Sequence, residues 1–174
     1  MMKKTLLAFT LILSSFVFVN AQSEINPLSF MVGEWKGTGS MMTRGGKQFT
    51  DITETVVCKL DCAVLSVDGL GTKLDSTTGK QIIVHDAFGI ISKDPKSNKW
   101  IMRAYKKGEV IDAEIIIVGE KVIRWELAIP NNGGTMRFTT DFTSPYKWKG
   151  TGEYSRDGIN WMIMMQTELT KVNE

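Results

Sequence analysis

From Glu34 onward, apolar and polar side chains alternate with a period of two, and helical periodicity is nearly absent. After "EWKGTGS" come "QFTDITETVVCKL", "CAVLSVDGLGTK", "QIIVHDAFGIIS", "KWIMRAYKKG", "EVIDAEIIIVG", "KVIRWELAI", "TMRFTTDFT", "YKWKGTGEYS" and "NWMIMMQTEL", each rich in β-branched or aromatic residues. Such residues fit a pleated, half-buried surface, so each run is expected to be a strand. Between them lie "DSTTGK", "KDPKSNK", "KKGE", "VGEK", "PNNGG", "TSP" and "RDGIN", which place Gly, Asn, Asp and Pro where a backbone must reverse. The pattern predicts about ten strands joined mostly by short hairpins, an antiparallel meander.

An open meander leaves two free edges and an apolar face with nothing to pack on. Closure into an up-and-down barrel removes both problems, because the first and last strands pair and the inward side chains form the core. A two-sheet sandwich is the rival, and the absence of a long crossover connection favours the barrel. The fold class is therefore all-β, a closed antiparallel barrel. Residues 25–32, "INPLSFMV", break the alternation. Asn26 ahead of Pro27 suits a helix start, so a short N-terminal helical plug carrying Leu28, Phe30, Met31 and Val32 is expected at one barrel end.

In "GEWKGTG", alternation puts Trp35, Gly37 and Gly39 on the inner face and Glu34, Lys36 and Thr38 in water. A turn followed by Gly-x-Trp at the start of a closed meander resembles the calycin superfamily, which includes lipocalins, fatty-acid-binding proteins and nitrobindin-like barrels. The C-terminal "WKGTGEYSRDGINWMIMMQTELTKV" is similar to the closing hairpin of small bacterial lipocalin-like barrels, and the likeness spans most of residues 28–172. It implies that a basic residue of the last strand covers the first-strand tryptophan. Lys171 is the candidate here, where relatives usually carry arginine, and Trp35, Gly37 and Lys171 are then structural. Nitrobindin-like barrels hold haem through a late-strand histidine, but this chain has no histidine after His85. No cofactor is expected, haem included.

The N-terminal "MMKKTLLAFTLILSSFVFVNAQ" has two lysines, an apolar run and Val19-Asn20-Ala21 ahead of Gln22. This is the three-part pattern of a secretory signal. The expected organisation is a signal peptide at 1–21 and one domain at 22–174, periplasmic or extracellular, with no membrane span once the signal is removed. The full chain carries 21 basic and 19 acidic residues, and the signal holds two of the lysines and no acid, leaving 19 of each. Without a basic surplus there is no long-range attraction to phosphate backbones, so nucleic acid is not an expected partner.

Candidate chemistry is sparse. No nucleophile elbow, phosphate-binding glycine loop or metal-ligand spacing occurs. His85, the single histidine, adjoins Asp86, but strand neighbours face opposite sides and cannot form a dyad with each other. His85, Glu54 and Arg103 are polar residues that either project into the barrel or face solvent, depending on register. Were all three inward, their charges could pair. The apolar wall is easier to place: Ile123, Trp125, Leu127 and Ile129 share one face of their strand, as do Met136, Phe138 and Phe142. "WMIMMQ" adds Met162, Met164 and Met165, side chains that adapt to irregular shapes. The candidate ligand-binding set is Glu54, His85, Arg103, Trp125, Phe138 and Met164.

Cys58 and Cys62 flank a short turn, which leaves a cross-hairpin disulfide or two thiols as readings. The expected function is an exported, non-enzymatic protein holding a small apolar or amphipathic molecule in the barrel. The alternatives are an enzyme using His85 with Glu54 or Asp86, and a filled barrel acting through protein partners. Oligomeric state is not legible.

Overall fold

The computed structural model describes residues 26–131 and 133–172. The expected signal at 1–21 lies outside the described residues. A 3-10 turn (Ser29–Met31) precedes ten strands: β1 (Gly33–Thr43), β2 (Gly46–Lys59), β3 (Val64–Leu74), β4 (Gln81–Lys93), β5 (Trp100–Lys106), β6 (Glu109–Gly119), β7 (Val122–Ala128), β8 (Thr135–Asp141), β9 (Lys147–Ser155) and β10 (Met162–Val172). Every strand pairs antiparallel with its neighbours in sequence, and β1 pairs with β10 from Glu34↔Val172 to Met41↔Met165. The ring is closed, and the sheet keeps no free edge.

The connections follow from their side chains. In "DSTTGK" the Asp75 carboxylate accepts the N–H groups of Thr77 and Thr78, and in "DPKSNK" Asp94 accepts those of Lys96 and Ser97. Both loops then turn through a left-handed residue, Gly79 in one and Asn98 in the other, the two residue types that tolerate it best. The same local chemistry thus builds the β3–β4 and β4–β5 turns at opposite ends of the barrel.

Strand direction defines the two ends. The end where β1 begins holds the core: Leu28, Met31, Trp35, Val56, Leu65, Ile91, Ile115, Ile123, Phe142, Trp148 and Leu169 pack as one cluster. The expected helical plug is not there. The segment makes only a single 3-10 turn, since Val32 is already extended (φ −61°, ψ 131°) and leads straight into β1. In a 3-10 turn residues three apart eclipse, so Leu28 and Met31 fall on the same side, and both are buried in the cluster. Asn26 acts as an anchor: its Oδ1 accepts the Leu28 N–H at 2.8 Å and its Nδ2 donates to the Cys62 carbonyl at 2.7 Å.

Trp35 is 3% exposed and donates its indole N–H to the Met31 carbonyl at 2.9 Å. Its ring meets Phe142 and Trp148 edge-on at centroid distances of 5.4 and 5.8 Å. Lys171, directly opposite Trp35 in the β1–β10 register, places Nζ 5.5 Å from the ring centroid. Gly37 pairs with Leu169, and a side chain there would run into the Glu168 carbonyl, so the absence of one lets β1 lie close against β10. At the same end Cys58 and Cys62 are joined by a disulfide across the β2–β3 turn, their Cα atoms 4.5 Å apart.

Candidate functional site

The other end of the barrel opens into a cavity of about 490 Å³. Why space exists there is a matter of what the inner face lacks. Gly39, Gly69, Gly89, Gly150 and Gly152 line the cavity and contribute no side-chain volume. A Cβ at Gly152 would sit 3.1 Å from both Phe138 and Met165, and one at Gly69 would sit 2.8 Å from a carboxyl oxygen of Glu54. The neighbours' side chains lie over the glycines, and the lumen beyond them stays clear. The sequence signal for this was the Gly-x-Gly spacing in "GTG" and "GLG" on β1 and β3 and a second "GTG" on β9, which puts both glycines of each pair on one face of a strand.

The wall opposite β2 is aromatic. In a ten-membered ring β7 stands five strands from β2 in either direction, so Trp125 faces the β2 wall across the lumen. Trp125 and Phe138 are cross-strand partners whose rings stack at 5.4 Å with an interplanar angle of 16°. Both line the cavity, with Ile52, Val67, Met102 and Met165 among the other apolar side chains.

Of the polar candidates, Glu54 and His85 line the cavity and Arg103 does not. Arg103 is exposed on the outer face, where it forms a two-bonded pair with its cross-strand partner Asp112, both contacts 2.7 Å. The three residues are therefore not all inward, and the pairing open to them in that case does not form. The strand carrying Arg103 turns Met102, Ala104 and Lys106 inward instead, so a lysine enters the site that sequence reasoning had not placed there. Asp86 is likewise exposed. Met164 is not in the lining, and Met165 takes its place. Met165 shares the inward phase of Thr167 and Leu169, which leaves Met164, the extra residue of a bulge between Ile163 and Met165, off the lumen. A second irregularity, between Gly71 and Thr72 of β3 opposite β4, places both Val84 and His85 against the lumen.

Glu54 lies opposite Trp35 on one side and Gly69 on the other, one inward position from the buried Val56. It is at the floor of the cavity, directly above the core cluster. Among the described residues its carboxyl has neither hydrogen-bond nor ion-pair partner. Burial, with a smaller contribution from the nearby Asp68 charge, raises its pKa from 4.5 to about 7. His85 is pushed the other way, below its ordinary 6.5, first by burial and then by Lys106, with Asp86 opposing. The imidazole is therefore neutral at pH 7. Lys73 and Lys106, at or beside the open-end termini of β3 and β5, also line the cavity, with Gln48, Thr50 and Thr167 among its uncharged polar side chains.

Among the described residues no hydrogen bond joins Glu54 to His85. Glu54 is level with Ala87 through Gly69, and His85 is two strands across and two residues further on. Strand spacing and rise put their Cα atoms about 12 Å apart, with the Glu54 carboxyl over Gly69 and the His85 side chain beside Gly71. The haem mode implied by nitrobindin-like barrels does not fit either. The last-strand positions on the lumen are Met165, Gln166, Thr167 and Leu169, none an imidazole. Among the described residues no group of three or more His, Cys, Asp or Glu could hold a metal ion, and no helix is long and apolar enough to cross a membrane.

A closed ten-stranded meander with an internal cavity is a calycin-like barrel. Solved structures that share it include Rv2717c from M. tuberculosis (TM-score 0.56, 11% identity, covering 84% of this chain and 95% of that chain) and the S-type phycobiliprotein lyase CPES from Guillardia theta (TM-score 0.57, 9% identity, 84% and 91%). At these identities the likeness is one of fold. No family model and no curated protein sequence matches the chain.

Proposed function

We propose that this chain is an exported, non-enzymatic binding protein that holds a small apolar or amphipathic molecule inside its barrel. The observation that carries the reading is the cavity itself, about 490 Å³, emptied by inward glycines and walled by Trp125, Phe138 and Met165. Its size is within the range of small-molecule sites, and apolar area removed from water stabilises a complex by roughly 25 cal/mol per Å² before association costs. The fold-mate named a phycobiliprotein lyase supports a small-molecule reading over a filled structural barrel. The enzyme alternative is weakened by the separation of Glu54 from His85 and by the outward Asp86.

Titration with an apolar fluorescent probe and a series of fatty-acid-like molecules should raise the melting temperature and change tryptophan emission, whereas one equivalent of haemin should give no sharp Soret band. A panel that moves neither signal would shift the assignment to a filled barrel, and a sharp haem band would overturn the exclusion of haem. Export is tested separately by the intact mass of the secreted protein. The mass should correspond to a chain starting at Gln22, and a mature chain retaining Met1 to Ala21 would contradict it.

A further inference from the structure

The polar groups of the cavity are sorted by depth. Glu54 is at the floor, beside Trp35, Val56 and Ile52, and its carboxyl looks into the lumen without a protein partner. Lys73 and Lys106 stand at the open ends of their strands and form none of the ion pairs found among the described residues, and His85 lies on β4 between those strands. Around and above Glu54 the wall is mostly apolar, with Ile52, Ala87, Met102, Trp125 and Phe138, interrupted by the hydroxyls of Thr50 and Thr167. From Gly69, which lies against Glu54, to Lys73 is four residues along β3, or about 13 Å.

A cavity built only for an alkyl tail gains nothing from a carboxyl at its floor. An oxygen or nitrogen taken out of water needs a hydrogen-bond partner, or several kcal/mol are lost. The same holds for Glu54 once a ligand displaces the water around it. Resting on the binding function proposed above, we infer that the ligand is polar at both ends: an elongated apolar molecule with an anionic group at the mouth, held by Lys73 and Lys106, and a hydroxyl or amine donor at the buried end, held by Glu54.

A hydroxyl suits Glu54 in either charge state, because it donates to a carboxylate and accepts from a carboxylic acid. His85 stands on the side of the mouth lysines and supplies a neutral donor or acceptor there. The remaining charged group near Glu54 is Asp68 on β3, which is exposed and carries the same sign, so it does not satisfy the carboxyl.

The probes are 12-hydroxydodecanoate, dodecanoate and dodecanol, measured by calorimetry on the mature protein at pH 8. In a purely apolar cavity the terminal hydroxyl would weaken binding; here 12-hydroxydodecanoate should bind about tenfold more tightly than dodecanoate, as expected for a hydrogen bond to a charged group. Glu54→Leu should reverse that preference, and Glu54→Gln, whose amide still hydrogen-bonds, should keep most of it. Lys73→Ala combined with Lys106→Ala should weaken both carboxylates by several-fold or more and leave dodecanol nearly unchanged. Dodecanoate binding as well as or better than its hydroxy analogue in the unaltered protein would overturn the inference while leaving a binding barrel intact. If none of the three probes bound and no apolar dye did, the binding function would fall and the inference with it.

Discussion

Trp35→Ala should lower the unfolding free energy of the barrel by about 3–5 kcal/mol, the usual cost of truncating a large buried aromatic. The expectation rests on what the indole touches. It closes the end of the barrel against Phe142 and Trp148, ties the 3-10 turn through its bond to the Met31 carbonyl, and lies under Lys171. Removing it takes away burial, leaves a cavity and orphans that carbonyl. Lys171→Ala should cost far less, about 0.5–1 kcal/mol, because the cation–π contact is at the barrel rim. Urea unfolding of the two variants checks both values, and wild-type stability for Trp35→Ala would contradict the placement of Trp35 in the core.

Glu54→Gln should act in the opposite direction and by an amount that depends on pH. The folded-state pKa of Glu54 is raised from 4.5 to about 7, so the folded chain holds a proton that the unfolded chain has released in this interval. Stability from this group is therefore highest below pH 4.5, declines as pH rises towards 7, and is level above that. The full shift corresponds to about 3 kcal/mol, and access of water to the cavity reduces it towards about 2 kcal/mol. At pH 8 the glutamine variant should be more stable than the parent by about 2–3 kcal/mol, and at pH 4 the two should coincide. Unfolding midpoints measured across pH 4 to 8 decide the matter. A difference between the proteins that does not change with pH would show that the carboxyl is solvated in the ordinary way. The destabilisation is tolerated in the native chain because Glu54 faces the cavity, which is the behaviour expected of a binding group.

The strands were legible because period-two alternation and turn chemistry agreed everywhere, from "VIRWELAI" on β7 to the Asp-initiated loops around β4. Closure followed from the two free edges, the unpartnered apolar face and the lack of a long crossover connection. What alternation could not reveal was local phase. In β5 both faces of "WIMRAYK" mix apolar and polar residues, and Arg103 is satisfied outside by Asp112, a partner contributed by a different strand. In β10 the inward phase set by Leu169 and Thr167 falls on Met165, and Met164 is the extra residue of a bulge. Asn26-Pro27 is a helix-start signal and suggests a short helical plug, but the shortness of the segment ahead of β1 is the stronger constraint and leaves only the 3-10 turn at 29–31. The emptiness of the barrel was readable in principle from the three Gly-x-Gly pairs, but a glycine in a strand marks a bend or close approach as readily as a vacancy.

Methionine methyl NMR tests the central claim most directly, because the chain distributes methionines between the lumen and the outside. Met102 and Met165 line the cavity, whereas Met42 and Met162 are exposed outside the lining. With 13C-methyl methionine, adding an aromatic apolar ligand should shift the Met102 and Met165 methyl signals through ring currents and leave Met42 and Met162 in place. Shifts confined to Met42 and Met162, with Met102 and Met165 unmoved at saturation, would place the ligand on the surface and contradict a binding site within the barrel.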